Sequence, residues 1–135
     1  MSQRADISLG NKYYISKHRY YELKHFCMQY EEWRRAYNSF DGYSKSRLEF
    51  GQSSNISDPT ERCIERQEEW LNKMQMVDQT CLLVGEKLSQ YLRKAVINGY
   101  SYDYLATMLE IPCSRNEYYW AYRRFFWELD RIRDA

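Results

Sequence analysis

The sequence contains no apolar run long enough to cross a membrane. No stretch approaches the roughly 18 consecutive apolar residues that a spanning helix needs. The first residues, MSQRADISLGNKYY, also lack the apolar segment of a secretory signal. We therefore expect a cytoplasmic protein with no membrane partner. Its 135 residues are 44% hydrophobic and 29% charged, which suits one compact domain or two small helical subdomains.

Side chains that carry catalysis or bind metals are scarce. The two histidines, His18 and His25, are accompanied by no cluster of acids and no Gly-rich phosphate loop. They also do not complete a zinc spacing with the four cysteines, which form no C-x-x-C pair. These cysteines are Cys27, Cys63, Cys81 and Cys113. We expect free thiols and a protein that is not an enzyme, with no cofactor and no metal site.

Glycine occurs only five times and proline only twice, and no strand-like alternation of useful length is present. Apolar residues recur instead at helical spacing. From an N-cap at Ser16, residues Tyr20, Leu23, Cys27 and Tyr30 follow one another at intervals of 4, 3 and 4. A second short helix is predicted from Tyr30 to about Asn38. The fold class that we predict is all-α: N-terminal helices, a long central helix and a C-terminal helix-turn-helix.

Residues 39–57 lack a sustained period and contain two glycines, which predicts a flexible loop. The run Asp58-Pro59-Thr60-Glu61 then predicts the start of a helix of about 26 residues that ends at Gly85. Its apolar seam has heptad spacing and comprises Cys63, Gln67, Trp70, Met74, Val77, Cys81 and Val84. The seam predicts either a core helix of the monomer or the interface of a homodimer.

The C-terminal third has the helix-capping and helix-ending residues of a helix-turn-helix. After a short helix stopped by Asn98-Gly99, Ser101 is placed to cap a helix from Tyr102 to Leu109. Pro112 prevents that helix from continuing, and Ser114 is placed to cap a last helix from Arg115 to about Arg133. The core is predicted to comprise Leu105, Ala106, Leu109, Ile111, Tyr118, Tyr122, Phe125, Leu129 and Ile132. By these signals the chain divides into residues 1–57, 58–98 and 99–135.

The other side of the last helix carries the predicted site. In a helix-turn-helix the first turns of the second helix enter the major groove. Arginine can pair with guanine and asparagine with adenine, and Arg115 and Asn116 are at the positions that this requires. The predicted DNA-binding residues are Ser114, Arg115, Asn116, Tyr119, Trp120 and Arg123. Together with Trp127, Trp120 also predicts either an apolar partner surface or a face covered by the N-terminal helices.

Charge is unevenly distributed although the net charge is only +1. Residues 1–51 carry nine Lys and Arg against six Asp and Glu, whereas residues 99–135 carry five against six. The basic N-terminal segment could therefore contact phosphates through Arg34, Arg35, Lys45 and Arg47. The alternative is that these residues form a solvated helix face.

Three runs of the chain resemble known regulators. The run GYSYDYLATMLEIPCS, residues 99–114, resembles region 4 of bacterial sigma factors, which reads the −35 promoter element. The run SRNEYYWAYRRFF, residues 114–126, and the run RYYELKHFCMQYEEW, residues 19–33, resemble the RinA/ArpU-like regulators of phages and prophages. The resemblance implies a small late transcriptional regulator. We expect double-stranded DNA as its partner, and either RNA polymerase or another host protein as a second partner.

Two other functions fit the same pattern. A protein-binding inhibitor or adaptor encoded by a mobile element would hold a host protein with the Trp120 and Trp127 face and the 39–57 loop. A small terminase-type DNA-packaging subunit would also use a helix-turn-helix but would assemble into a ring.

Overall fold

The structure, a computed structural model, describes residues 12–49 and 57–134, with the backbone alone for residues 40–49 and 57–60. These residues form six α-helices and no strand, which confirms the all-α fold class. The helices are α1 (Lys17–Met28), α2 (Tyr30–Glu49), α3 (Ser57–Val84), α4 (Glu86–Asn98), α5 (Tyr102–Leu109) and α6 (Arg115–Asp134). None of the six is both long enough and apolar enough to cross a membrane.

The predicted helix boundaries rest on local hydrogen bonds that the structure confirms. The Ser16 hydroxyl accepts a bond from the backbone N–H of Arg19 at 3.3 Å and so caps α1. The Ser101 hydroxyl accepts from the N–H of Tyr104 at 3.1 Å and caps α5. Gly99 ends α4 at φ 75°, a left-handed conformation that glycine adopts without steric cost.

Helix α2 is longer than the sequence pattern predicts. The predicted loop over 39–57 is wrong for residues 39–49, which continue the helix to Glu49. The physical reason is that this stretch contains no proline, and a single Gly42 costs a helix only about 1 kcal/mol relative to alanine. Residues 50–56 of the predicted loop lie outside the described residues.

The described chain divides into two compact units. Unit 1 comprises residues 12–29 and 76–134, and unit 2 comprises residues 30–49 and 57–75. Unit 1 therefore joins α1 to the C-terminal helices, and α1 packs against both α4 and α6. This grouping cuts across the chain-order division into residues 1–57, 58–98 and 99–135.

In unit 1 the apolar face of α6 is wider than one helical stripe. Tyr118, Tyr122, Phe125 and Leu129 are buried as predicted, and Phe126 is buried as well. The prediction of Ile132 as a core residue is wrong, because its side chain is 37% exposed. The position of α1 explains the exposure of Ile132. Arg19 of α1 pairs with Asp130 of α6, and the guanidinium carbon of Arg133 on α6 lies 3.9 Å from the ring centroid of Phe26 on α1. Helix α1 therefore covers the side of α6 away from Ile132.

The heptad seam of α3 lies on the less exposed side of that helix. In unit 1, its members Val77 and Cys81 are fully buried within the single chain. In unit 2, Met74 is buried and the side-chain amide of Gln67 donates to the carbonyl of Tyr37 at 3.5 Å. The burial of Val77 and Cys81 favours the core interpretation for the C-terminal half of the seam. A homodimer remains a prediction.

All four cysteines are free thiols, as predicted. Burial raises the pKa of Cys81 to about 12 and that of Cys27 well above its ordinary value. Cys63 and Cys113 are only half-buried. Among the described residues, no group of three or more His, Cys, Asp or Glu side chains is placed to hold a metal ion.

This difference in burial predicts the order of thiol modification. Iodoacetamide at pH 8 should modify Cys63 and Cys113 of the native protein first, because only accessible thiolates react. Cys27 and Cys81 should react only when the chain is unfolded in guanidinium, the control in which all four react. Peptide mass spectrometry measures each site. Modification of Cys81 at the rate of Cys63 in the native protein would contradict the buried placement.

The two leucines of α5 should differ in their effect on stability. Both are predicted to face inward, but Leu105 is fully buried whereas Leu109 is only half-buried. Leu105→Ala should lower the free energy of unfolding by about 2–5 kcal/mol, because it leaves a cavity. Leu109→Ala should cost less, because part of its side chain is already in water. Urea denaturation measures both, and equal losses would place α5 in a different rotation from the one described.

Candidate functional site

The turn between α5 and α6 is held by its own backbone. Glu110 adopts a left-handed conformation at φ 52°, and the N–H of Ile111 donates to the carbonyl of Leu105 at 3.1 Å. This arrangement directs Ile111 into the core, where it is buried as predicted. The hydroxyl of Tyr102 donates to the carbonyl of Cys113 at 2.9 Å. The start of α5 is thereby bound to the end of the turn, immediately before α6 begins.

The N-terminus of α6 is closed by a capping box. The Ser114 hydroxyl accepts from the N–H of Glu117 at 3.2 Å, and the Glu117 carboxylate accepts from the N–H of Ser114 at 3.2 Å. The bond from the Ser114 backbone is the main reason that the pKa of Glu117 is lowered. The sequence prediction included Ser114 but not Glu117, although the spacing S-x-x-E is the signal for it. The Glu117 carboxylate therefore occupies the N-terminal end of α6.

Arg115 is exposed, but its guanidinium already has two neighbours on α5. Its Nη2 donates to the Asp103 carboxylate at 2.5 Å. Its guanidinium carbon also lies 4.9 Å from the ring centroid of Tyr102, in a cation–π contact. The hydrogen bond to Asp103 is the main reason that the pKa of Arg115 is raised. The sequence indicated the position of Arg115 but not these partners.

The other predicted site residues lie on the N-terminal half of α6. Asn116 is exposed in the first turn, and Trp120, one turn later, is 48% exposed. The guanidinium of Arg123 lies 5.5 Å from the Trp120 ring centroid. Tyr119 is half-buried, with its ring 5.0 Å from that of Tyr118. The structure thus brings these residues together on one helix, with Asn116 and Trp120 the more accessible and Tyr119 part of an aromatic cluster.

The tryptophan face of α6 is partly covered by the segment before α1. The ring of Tyr13 lies 5.3 Å from that of Trp120 and 5.5 Å from that of Trp127. Arg131 adds a cation–π contact, with its guanidinium carbon 4.5 Å from the Trp127 ring centroid. Trp127 is consequently half-buried, whereas Trp120 keeps an accessible edge. Part of the predicted cover is therefore supplied by the segment before α1. The use of this face as a partner surface remains a prediction.

On its buried side, α6 is held by α1. The hydroxyls of Tyr20 and Tyr122 share a hydrogen bond of 2.8 Å, and both side chains are buried. Arg19 donates to Asp130 and, at 2.7 Å, to Asp134 near the other end of α6. The bond to Asp130 is the main reason that the pKa of Arg19 is raised. These contacts fix the rotation of α6 and hence which of its residues face solvent.

The predicted phosphate contacts belong to α2, in unit 2. Arg34 is exposed and pairs with Glu31 one turn earlier, at 2.7 Å. Arg35 is also exposed. Lys45 and Arg47 lie on the same helix, and their side chains are outside those described. Of the four predicted contacts, Arg34 thus already has a carboxylate partner.

The contacts of Tyr13 predict how the tryptophan face responds to mutation. Tyr13→Ala should uncover Trp120 and Trp127 and shift the tryptophan emission maximum to longer wavelength. The loss of two ring contacts should destabilise the protein by about 1 kcal/mol. Tyr14→Ala, the neighbouring half-buried tyrosine, is the matched control. The same red shift in both variants would mean that Tyr13 does not specifically cover this face.

No protein-family model matches the chain, and neither a curated protein nor a solved structure matches it. The resemblance to sigma region 4 and to the RinA/ArpU-like regulators therefore remains a prediction.

Proposed function

We propose that this protein binds double-stranded DNA through α5 and α6 and acts as a small transcriptional regulator of phage or prophage type that recruits RNA polymerase. The observation that carries the proposal is the exposure of Arg115 and Asn116 in the first turn of the helix that follows the turn. These are the two side-chain types that pair bidentately with guanine and adenine in the major groove.

The dimensions of the surface suit a groove. From Arg115 to Arg123 the helix advances by about 12 Å at 1.5 Å per residue, and the major groove is about 12 Å wide. A groove entered by the start of α6 would meet Asn116 and Trp120, which lie one turn apart on the exposed side. The capping box and the Tyr102 bond to Cys113 keep this end of α6 in one orientation. Such rigidity favours directional contacts to base edges.

Electrostatics make the proposed binding weak without a partner. Arg115 is paired with Asp103, and Arg124 of α6 is paired with Glu128 at 3.3 Å. Two of the five arginines of α6 thus have their charge offset by a carboxylate, which should lower the non-specific affinity for phosphates. Contacts with RNA polymerase on the same DNA would supply the missing affinity by linking two binding events.

A second function is favoured by the exposed apolar side chains. Trp120 on α6 is 48% exposed, and on α5 Tyr104 is 41% and Met108 63% exposed. Tryptophan and tyrosine are among the residues that dominate protein–protein binding energy. A protein-binding adaptor or inhibitor would use such exposed side chains to bind its partner without DNA.

The proposal predicts that Arg115→Ala weakens binding to a selected DNA site by about 1–3 kcal/mol, or roughly 5- to 150-fold. The site is first obtained by selecting duplexes from a randomised pool with the intact protein at low salt. Fluorescence anisotropy then measures affinity. Arg131→Ala is the matched control, because it removes the same charge from an exposed position four turns further along α6. It should change affinity by less than a factor of about three, since Arg131 lies beyond the groove.

Two results would contradict the proposal. Equal losses in the two variants would show that only net charge matters and that α6 does not read bases. Failure of the intact protein to bind any duplex of the pool, alone or with RNA polymerase, would favour the protein-binding alternative.

A further inference from the structure

The geometry points to Asp103 as the residue that positions Arg115 for base recognition and so determines its specificity, an inference that rests on the proposed DNA-binding function. Asp103 lies in the first turn of α5, and Arg115 lies in the first turn of α6. The ion pair between them therefore links the two helices of the module directly across its turn.

Two different contacts from α5 hold the guanidinium of Arg115. Asp103 accepts a hydrogen bond from Nη2, and the Tyr102 ring lies against the guanidinium. Tyr102 is itself fixed, because its hydroxyl donates to the Cys113 carbonyl and its ring lies 5.3 Å from that of Tyr118. The bond to Asp103 restricts the direction of the N–H donors, and the Tyr102 ring supports the plane of the guanidinium. Together they select one orientation for a side chain that would otherwise sample many.

This arrangement leaves Arg115 able to recognise a base. A guanidinium has five N–H donors, and the carboxylate of Asp103 uses one of them. Guanine needs two, for its O6 and N7 atoms. Because the contacts with Asp103 and Tyr102 restrict the side chain before binding, less conformational entropy is lost when the base is bound. Asp103 therefore favours the bidentate pair with guanine over looser contacts with other bases.

The same carboxylate opposes non-specific binding. The Asp103 side chain is 75% exposed, beside the Arg115 side chain, which is 53% exposed. The negative charge of Asp103 therefore reduces the attraction between Arg115 and the DNA backbone. A phosphate attracts the pair less than it would attract an isolated arginine. Removing the charge of Asp103 should thus strengthen binding to unrelated duplex while it loosens Arg115. A residue with a purely structural role would not move these two quantities in opposite directions.

The test compares Asp103→Asn with Glu110→Gln in the full chain. Glu110 is an exposed acid in the turn of the same module, so its variant removes an equal charge without changing the partner of Arg115. Each protein selects sites from a randomised duplex pool, and affinities are then measured for the selected site, its single-base variants and an unrelated duplex. Circular dichroism checks that the helices are retained.

We expect the wild-type site to contain one position at which guanine is preferred and at which Arg115→Ala abolishes the preference. Asp103→Asn should lower that preference about tenfold and leave other positions unchanged. Both acid-removing variants should bind unrelated duplex a few-fold more tightly, because each removes a negative charge. Asp103→Glu, which keeps the carboxylate, should restore most of the preference for guanine.

Three results would overturn the inference. The first is an unchanged guanine preference in Asp103→Asn. The second is an equal loss of preference in Glu110→Gln, which would make it an effect of charge alone. The third is a wild-type protein that selects a site but shows no position dependent on Arg115. If the wild-type protein selects no site at all, the proposed function fails, and the inference that rests on it fails as well.

Discussion

Tyr20 and Tyr122 share a hydrogen bond of 2.8 Å inside unit 1, and the position of α6 depends on this contact. A buried hydroxyl without a partner would be costly, and here each one satisfies the other. The two residues are 102 positions apart in the chain, so the bond makes α1 part of the C-terminal unit. The ring of Phe126, 5.0 Å from that of Tyr20, continues the same packing along α6. Rotation of α6 would break both contacts together.

The sides of α6 consequently differ in what they contact. Tyr122 and Phe126 pack on α1, and Tyr118 packs with its ring 5.3 Å from that of Tyr102 on α5. What remains in solvent at its N-terminal half is the side with Asn116 and Trp120. The accessible surface is thus a consequence of how the core is built. Substitutions in the core of α6 should affect any binding function through orientation as well as through stability.

The local features of this fold could be predicted from the sequence, whereas those that depend on helix rotation could not. Ser16 and Ser101 cap helices through bonds to residues three positions away, and such signals are contained in short stretches of chain. The burial of Phe126 and the exposure of Ile132 depend instead on where α1 lies. The candidate site divides in the same way. The position of Arg115 at a helix start was predictable, but its pairing with Asp103 requires the relative placement of α5 and α6.

The near-neutral charge of the module has a different meaning once the partners of its arginines are known. Arg115 and Arg124 each pair with a carboxylate of the same module, so these charges neither attract nor repel a distant polyanion strongly. Under the proposed function, long-range attraction would contribute little, and affinity would come from short-range contacts to bases and from a partner protein. Such a protein would bind unrelated DNA poorly. Its occupancy of a promoter would then depend on RNA polymerase being present, because the contacts and the charge of the module alone would give too little affinity for DNA.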